Sequence, residues 1–378
     1  KSNERLGGSS GDESSPEITV AMQIPDREFT GNRRFFSRSN LVDAYNSMKS
    51  RHASIGVVIP SYKAGESLRW TLDSIAAQSL KPDEVCVVFD GEDPVGEAVV
   101  RDHAVVTEII VRGECSGGPA QPRNDGWNRI GQRVDYIHFL DSDDLIAPWF
   151  YEDLSRVLDA DRSLWGVRAG HFVMSNEEIE ECHGAVDWKR LERITTDSMR
   201  EENYVDVHPV PHSFVLLRSD AVSSLEIDCS PWRGCRADSL DGKQEFMEDV
   251  DFVFRLLALG RLVTVDGVSG VYNVRVGSVS DDTQKTYLWV LRAYDLAIIP
   301  WASQQPDPKV RRVARRMRSV AVRKYARSEP ELGKAMAVLA KETLRSPRLK
   351  TFVTASLIIA GLDSQRSKLI SRKRHRDG

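Results

Sequence analysis
The sequence predicts an α/β fold, a sheet of buried strands flanked by helices with an α-helical extension on its C-terminal side. Three observations predict it. The runs 54–60 (SIGVVIP) and 84–90 (EVCVVFD) are almost unbroken apolar segments, the pattern of strands buried on both faces of a parallel sheet. Between them Leu68, Leu72 and Ile75 recur at helical spacing, so strand, helix and strand form a βαβ unit. From Val310 the pattern changes to apolar residues interleaved with arginines at the same helical period.

Composition bounds the classes. With 378 residues, 41% of them hydrophobic, and a formal net charge of −4, the chain can bury a full core. Its five cysteines, Cys86, Cys115, Cys182, Cys229 and Cys235, are odd in number and lack Cys-x-x-Cys or Cys/His spacing. That argues against disulfides and zinc and for a reducing, cytoplasmic setting. No signal-peptide core follows Lys1, and the apolar run 351–362 is shorter than the ~20 residues that span a bilayer. Residues 309–378 hold 20 Lys/Arg against 5 Asp/Glu, so the rest of the chain is acidic. The expected organisation is a flexible tail at 1–16, a packing arm at 17–50, a main domain at 51–285, a basic helical region at 286–365 and a basic disordered tail at 366–378.

Taken in order, the strand at 54–60 closes on Pro60, and the strand at 84–90 closes on Asp90 and Gly91. Open α/β sheets bind ligands at the carboxyl ends of their strands, which makes Asp90 a candidate, although a turn Asp before glycine is the plainer alternative. A third strand is expected at 105–111, then a Gly117-Gly118 loop and a helix through Trp127 and Ile130, where Arg123 and Asn124 could hold phosphate oxygens. The Gly-x-Gly-x-x-Gly fingerprint and the Walker A loop are both absent, which argues against a dinucleotide-binding dehydrogenase and a P-loop enzyme.

The run 136–144 (YIHFLDSDD) reads as a buried strand delivering Asp141, Asp143 and Asp144 to that same edge. Carboxylates there suit a hard cation such as Mg2+ or Mn2+. The competing reading makes Ser142 or Asp144 the cap of a helix over 145–158. Further strands are expected at 164–174 and 207–217. His208 and His212 lie at the entry of the second, as pocket lining rather than a zinc pair. A polar loop over 229–244 carries Trp232. A helix over 246–260 turns Val250, Val253, Phe254 and Leu257 inward and crowds Glu248, Asp249 and Asp251 into its first turn. Acids there ordinarily complement the helix dipole, but one at a cleft mouth, tuned by burial, can act as a general base. A strand pair over 262–274 and a basic loop from Arg275 complete the domain.

In this order the pieces 58–62 (VIPSY), Ala77-Gln78, Asp90, Arg123-Asn124, 139–144 (FLDSDD), Glu248-Asp249 with Arg255, and 272–280 resemble the family 2 glycosyltransferases of GT-A fold, across about residues 53–282. The resemblance implies a Rossmann-like mixed sheet flanked by helices and a nucleotide-sugar donor, UDP- or dTDP-linked in preference. It implies that Pro60, Ser61 and Tyr62 line the base pocket, that Asp90 accepts a base N–H, and that Arg123 lies near the diphosphate. Asp141-Ser142-Asp143 would be the Asp-x-Asp element, with Asp143 the direct Mn2+ or Mg2+ ligand, Asp141 nearer the ribose and Asp144 supporting them. Asp249 would be the catalytic base of an inverting transfer.

Two departures stand out. Phe89-Asp90 replaces the common pair of acids, and Arg275 stands where a histidine is frequent, so it brings a cation that does not coordinate metal. Trp149, Trp232, His208, His212 and Glu248 are candidates for the acceptor side, with a glycan, lipid-linked sugar or protein hydroxyl as acceptor. The alternatives are a retaining transferase of the same fold and a catalytically silent scaffold gripping membrane or nucleic acid through its basic helices. Their basis is Val310, Val313, Met317 and Val320 interleaved with arginines, a pattern that peripheral contact with the inner face of a membrane would use. Nucleic acid is disfavoured because interleaved aromatics are lacking apart from Tyr325.

Overall fold
The computed structural model describes residues 53–191, 193–201, 212–225, 230–233, 247–274, 283–328 and 332–345. The expected tails at 1–16 and 366–378, the arm at 17–50, and the site candidates His208 and Arg275 lie outside the described residues.

A nine-stranded sheet organises the described chain. Its strands are β1 (Ile55–Ser61), β2 (Glu84–Phe89), β3 (Glu108–Val111), β4 (Tyr136–Phe139), β5 (Leu145–Ile146), β6 (Leu164–Ser175), β7 (Thr195–Glu201), β8 (Val215–Arg218) and β9 (Arg261–Val274). The order is β3-β2-β1-β4-β8-β6-β9-β5, with β7 also on β9. β3, β2, β1 and β4 run parallel, so their carboxyl ends share one edge. β8 is antiparallel to both β4 and β6, which makes the sheet mixed. Pro60 is tolerated on a central strand because β4 pairs with β1 only as far as Val58.

The helices are α1 (Ser67–Ala76), α2 (Pro94–Asp102), α3 (Ala120–Ile130), α4 (Phe150–Ala160), α5 (Asn176–Glu181), α6 (Ser219–Ser223), α7 (Glu248–Leu259), α8 (Thr283–Ala293), α9 (Ile299–Gln304), α10 (Pro308–Ser328) and α11 (Leu332–Arg345). Alternate residues of the buried strands feed two cores. Val57, Ile59, Val85 and Val87 pack with Leu68, Leu72 and Ile75 of α1, Val99 of α2 and Leu154 of α4. Val58, Cys86, Val88 and Phe139 pack with Trp127 and Ile130 of α3 and with Phe252, Val253 and Leu256 of α7. The other side of α7, Val250 and Phe254, joins a third core with Trp289, Tyr294, Trp301, Val310, Ala314 and Met317. Helix α7 is therefore clamped between the sheet and the C-terminal helices, and burying a side chain such as Phe254 contributes about 1.5–3 kcal/mol.

The α/β architecture with its helical C-terminal region is the one expected, and the helix expected over 246–260 spans Glu248–Leu259. Other expectations are corrected. Residues 145–158 do not form one capped helix: Leu145–Ile146 pair antiparallel with Gly270–Val271, and α4 begins at Phe150 after Pro148. The expected strand pair over 262–274 is one 14-residue strand. The strand expected at 207–217 is, where described, a single 3-10 turn (His212–Phe214) leading into β8. The apolar side of α10, a candidate for lipid contact, is covered, with Val310 and Met317 buried and Val313 and Val320 packed against the same core. No helix among the described residues is long and apolar enough to cross a membrane.

Gly267 lets β9 continue through its irregular pairing with β6 and β7. Its φ is +107°, and a Cβ there would lie 2.5 Å from the Ile194 Cα and 2.7 Å from the Arg193 carbonyl oxygen. Both obstacles are backbone, so Gly267→Ala should destabilise the fold by at least about 2 kcal/mol. Urea unfolding checks this, and an unchanged midpoint would contradict the assigned bend.

Candidate active site
Hydrogen bonds across the parallel strands line up the carboxyl edge. The Asp90 N–H donates to the Ser61 carbonyl at 2.8 Å and the Leu140 N–H to the Val58 carbonyl at 3.0 Å, so Asp90 and Asp141 leave the strand ends on either side of β1. Asp90 is buried, and its carboxylate accepts from the Ser116 N–H (2.9 Å) and hydroxyl (2.8 Å) in the Gly117-Gly118 loop. Arg112 sits 3.0 Å away as an ion pair, with its Nε–H aimed off the oxygen. Pro60 and Ser61 are buried in β1. Of that trio, Tyr62 presents a surface, 55% exposed, just before the left-handed Lys63 (φ +50°).

Four chain segments converge beyond β4. His138 is buried in that strand, its ring between the Tyr151 hydroxyl (3.0 Å) and the Ser213 carbonyl (2.8 Å), and burial pushes its pKa down to about 3. A neutral imidazole donating to Ser213 thus fastens the 3-10 turn against the strand end, and the Asp141 N–H donates to the Ser213 hydroxyl at 3.2 Å. His212, in the same turn, places Nε2 3.1 Å from Asp141 Oδ1 and 2.7 Å from an Arg123 nitrogen. Arg123, expected near the diphosphate, is inside: its guanidinium is 2% exposed and donates to Glu248 Oε1 (2.7 Å) and Asp141 Oδ1 (2.8 Å). The Trp232 ring lies 4.6 Å beneath it.

Trp232 is itself 1% exposed, stacked on Phe252 at 3.9 Å and clipped by Asn124, whose amide exchanges two hydrogen bonds with the Trp232 backbone. No sugar can stack on it there, so the acceptor role expected of Trp232 gives way to support of Arg123. Asn124 likewise serves that clip rather than a phosphate. Glu248, expected at the cleft mouth, is buried against Arg123. Trp149 is half-buried, donates to the Val268 carbonyl at 2.9 Å, and meets Trp188 and Arg193 rather than this cluster.

Asp249 follows Glu248 in the first turn of α7. Met247 before it takes a left-handed conformation (φ +61°, ψ +31°), an uncommon one for a residue with a side chain, and so sets the angle at which the helix enters the cluster. Burial first, and then the Glu248 carboxylate, push the Asp249 pKa up to about 6, against the pull of His212, the Val250 N–H and Arg123. For Asp141, burial opposes ionisation, but His212 and Arg123 outweigh it and hold the carboxyl well below its ordinary value. Asp144 goes the other way: burial, Asp143 and Asp141 raise it against the pull of Ser213 and of the Asn273 N–H, which donates to Oδ1 at 2.9 Å, and among the described residues no group completes a hydrogen bond to its buried Oδ2.

Among the described residues no group of three or more His, Cys, Asp or Glu side chains could enclose a metal. Asp141 and Asp143 instead offer a pair of hard oxygen donors beside that Asp144 carboxyl oxygen. That suits Mg2+ or Mn2+, which complete their shells with water and substrate phosphates. Sequence reasoning did not find Arg112, Ser116, Ser213 or Asn273. Each acts through a partner distant in sequence, and only the glycines next to Ser116 gave a local signal.

Residues 56–224 match the family model described as glycosyl transferase family 2. The chain is 30% identical over 104 residues to the poly(ribitol-phosphate) beta-N-acetylglucosaminyltransferase TarP of Staphylococcus aureus (strain N315), covering 26% of this chain and 31% of that protein. It is 35% identical over 141 residues to the succinoglycan biosynthesis protein ExoW of Rhizobium meliloti (strain 1021), covering 34% and 44%. The matches thus span less than half the length of these curated relatives. Among solved structures, a mannosyltransferase from Pyrobaculum calidifontis in complex with GDP-Man and Mn2+ aligns with a TM-score of 0.48 at 13% identity, over 88% of this chain and 90% of that one.

Proposed function
We propose, on the premise that residues 56–224 are a glycosyl transferase family 2 domain, that the chain moves a sugar from a nucleotide diphosphate, UDP- or dTDP-linked, to an acceptor hydroxyl with inversion. The observation that carries the reading is Asp249, a carboxylate raised to about 6 and tied through Glu248 and Arg123 to the strand end bearing Asp141 and Asp143. A base with that pKa is mostly ionised at neutral pH yet retains affinity for a proton. The transfer domain is taken as 51–285, with the basic helical region as 286–365; of that region, α8 to α10 pack on α7.

In this reading the nucleotide lies along the carboxyl edge, its base on Tyr62 between Pro60-Ser61 and Asp90, which accepts a base N–H. Asp249 takes the proton of the acceptor hydroxyl as that oxygen attacks the anomeric carbon. The bond from that carbon to the diphosphate oxygen breaks on the opposite face, and the nucleoside diphosphate departs with the electron pair. A divalent cation, Mn2+ or Mg2+, held by Asp143 with Asp141 would supply charge neutralisation for the leaving group. Arg275 would add a second positive charge there. Arg123 is assigned to holding Asp141 and Glu248 in place, and His212, through Asp141, to the acceptor-facing side. Glycan, lipid-linked sugar and protein hydroxyls are all compatible acceptors.

The test is donor binding and hydrolysis across a panel of nucleotide sugars, with Mn2+ and with chelator. Binding of one donor should strengthen at least about tenfold with metal, and Asp143→Ala should lose that gain. No binding of any donor by the folded protein would overturn the reading, and metal dependence surviving in Asp143→Ala would overturn the ligand assignment.

A further inference from the structure
We propose that the outer face of α10 is a docking surface for an anionic lipid bilayer, engaged by its cationic row. Lys309, Arg311, Arg312, Arg315 and Arg316 are all exposed on its first turns. None of these five side chains has a hydrogen-bond or ion-pair partner among the described residues, and no acidic residue lies within Pro308–Ser328. Five exposed arginines elsewhere, Arg69, Arg101, Arg129, Arg156 and Arg193, are each matched by a carboxylate, whereas a run of unmatched ones is found on α10. Arg311 with Arg315, and Arg312 with Arg316, are one turn apart, and like charges at that spacing destabilise a helix. Among the described residues no carboxylate is ion-paired with either couple, so an external anion would relieve the repulsion.

The other side of the helix limits how it can bind. Val310, Ala314 and Met317 are buried with Val250 and Phe254 of α7, so α10 cannot turn an apolar face into lipid without opening that core. Contact is left to the cationic row, whose guanidinium forks match lipid phosphates. Residues 309–378 carry the positive excess and the remainder a negative one, so an anionic surface attracts this region and not the rest of the chain. The basic region also contains the apolar run 351–362 bordered by Arg348, Lys350, Arg366 and Lys368. That composition suits a bilayer interface, and a nucleic acid has no use for it.

The test is vesicle flotation of the full chain with phosphatidylcholine vesicles, alone or containing one third phosphatidylglycerol. Binding should require phosphatidylglycerol and weaken with added salt, and the quadruple variant R311S/R312S/R315S/R316S should bind at least about thirtyfold less. The altered side chains are exposed, and removing four exposed arginines elsewhere, R69S/R101S/R129S/R156S, should leave most of the binding intact. Equal binding to neutral vesicles, no binding to either, or full binding by the α10 variant would overturn the proposal. So would capture of soluble polyphosphate or duplex DNA in place of vesicles, which would reassign the face to a dissolved polyanion.

Discussion
Asp249→Asn should lower turnover by about 10²–10⁴-fold while leaving nucleotide affinity within about twofold of wild type. The amide keeps the shape of the side chain and can still accept the 2.7 Å hydrogen bond from the Val250 N–H, but it cannot take a proton. The pH dependence follows from the same group. A base works ionised, so wild-type kcat/KM should rise through about 6 and level off above it. Stability moves in the opposite sense. A pKa raised in the folded state means that folding favours the protonated acid, so its contribution is fully present below the unfolded value and is lost as pH rises through about 6. The asparagine variant escapes that loss. Its melting temperature relative to wild type should therefore be higher in mildly alkaline buffer than in acidic buffer, a readout independent of catalysis. Turnover within tenfold of wild type, or a variant that gains nothing on raising the pH, would remove Asp249 from the role of base.

The parts of the molecule legible in sequence are those whose signals are local and repeated. The runs over β1 and β2 are apolar at every position because both faces of the sheet are covered, and α1 shows its stripe because one side meets solvent. The helix over 248–259 was legible for its apolar spacing, although nothing local showed that Val250 and Phe254 face a different core from Phe252 and Leu256. The acids at 90, 141 and 249 were legible as candidates because strand ends and a helix start are places where carboxylates stand out. What stayed hidden was decided by distant partners. Leu145–Ile146 became strand because Gly270–Val271 were available to pair. The stretch 262–274 was expected as a strand pair, yet the left-handed Gly267 only bends a single strand. Arg123 looked like a cation waiting at a helix start. Its burial depends on Trp232, 109 positions on, and on the two carboxylates, and no local pattern reports either.

Arg123→Met should cost about 3–5 kcal/mol of stability, the largest effect expected of any single change at the site outside catalysis. Removing one member of a buried ion pair leaves its partners charged and desolvated, and here two carboxylates lose their donor at once, with Glu248 the more deeply buried. Arg123→Lys should recover only part of the loss, because one ammonium cannot reproduce two guanidinium bonds, to a helix start and to a strand end, while lying flat on Trp232. If Arg123 instead served chiefly as a phosphate ligand, the order would invert: stability would barely change and nucleotide affinity would fall. The double variant Arg123→Met with Glu248→Gln separates the causes. Neutralising Glu248 removes the uncompensated charge, so the double should be more stable than Arg123→Met alone, and the coupling measures the pair directly. Arg123 is also one of the groups that lower the Asp249 pKa, so any residual activity of the single variant should show an acid limb shifted above about 6. Denaturant midpoints of wild type, Arg123→Met, Glu248→Gln and the double variant decide the matter. A loss below about 1 kcal/mol, or a double variant no better than the single, would mean that the Glu248–Arg123–Asp141 link does not hold α7 to the strand end.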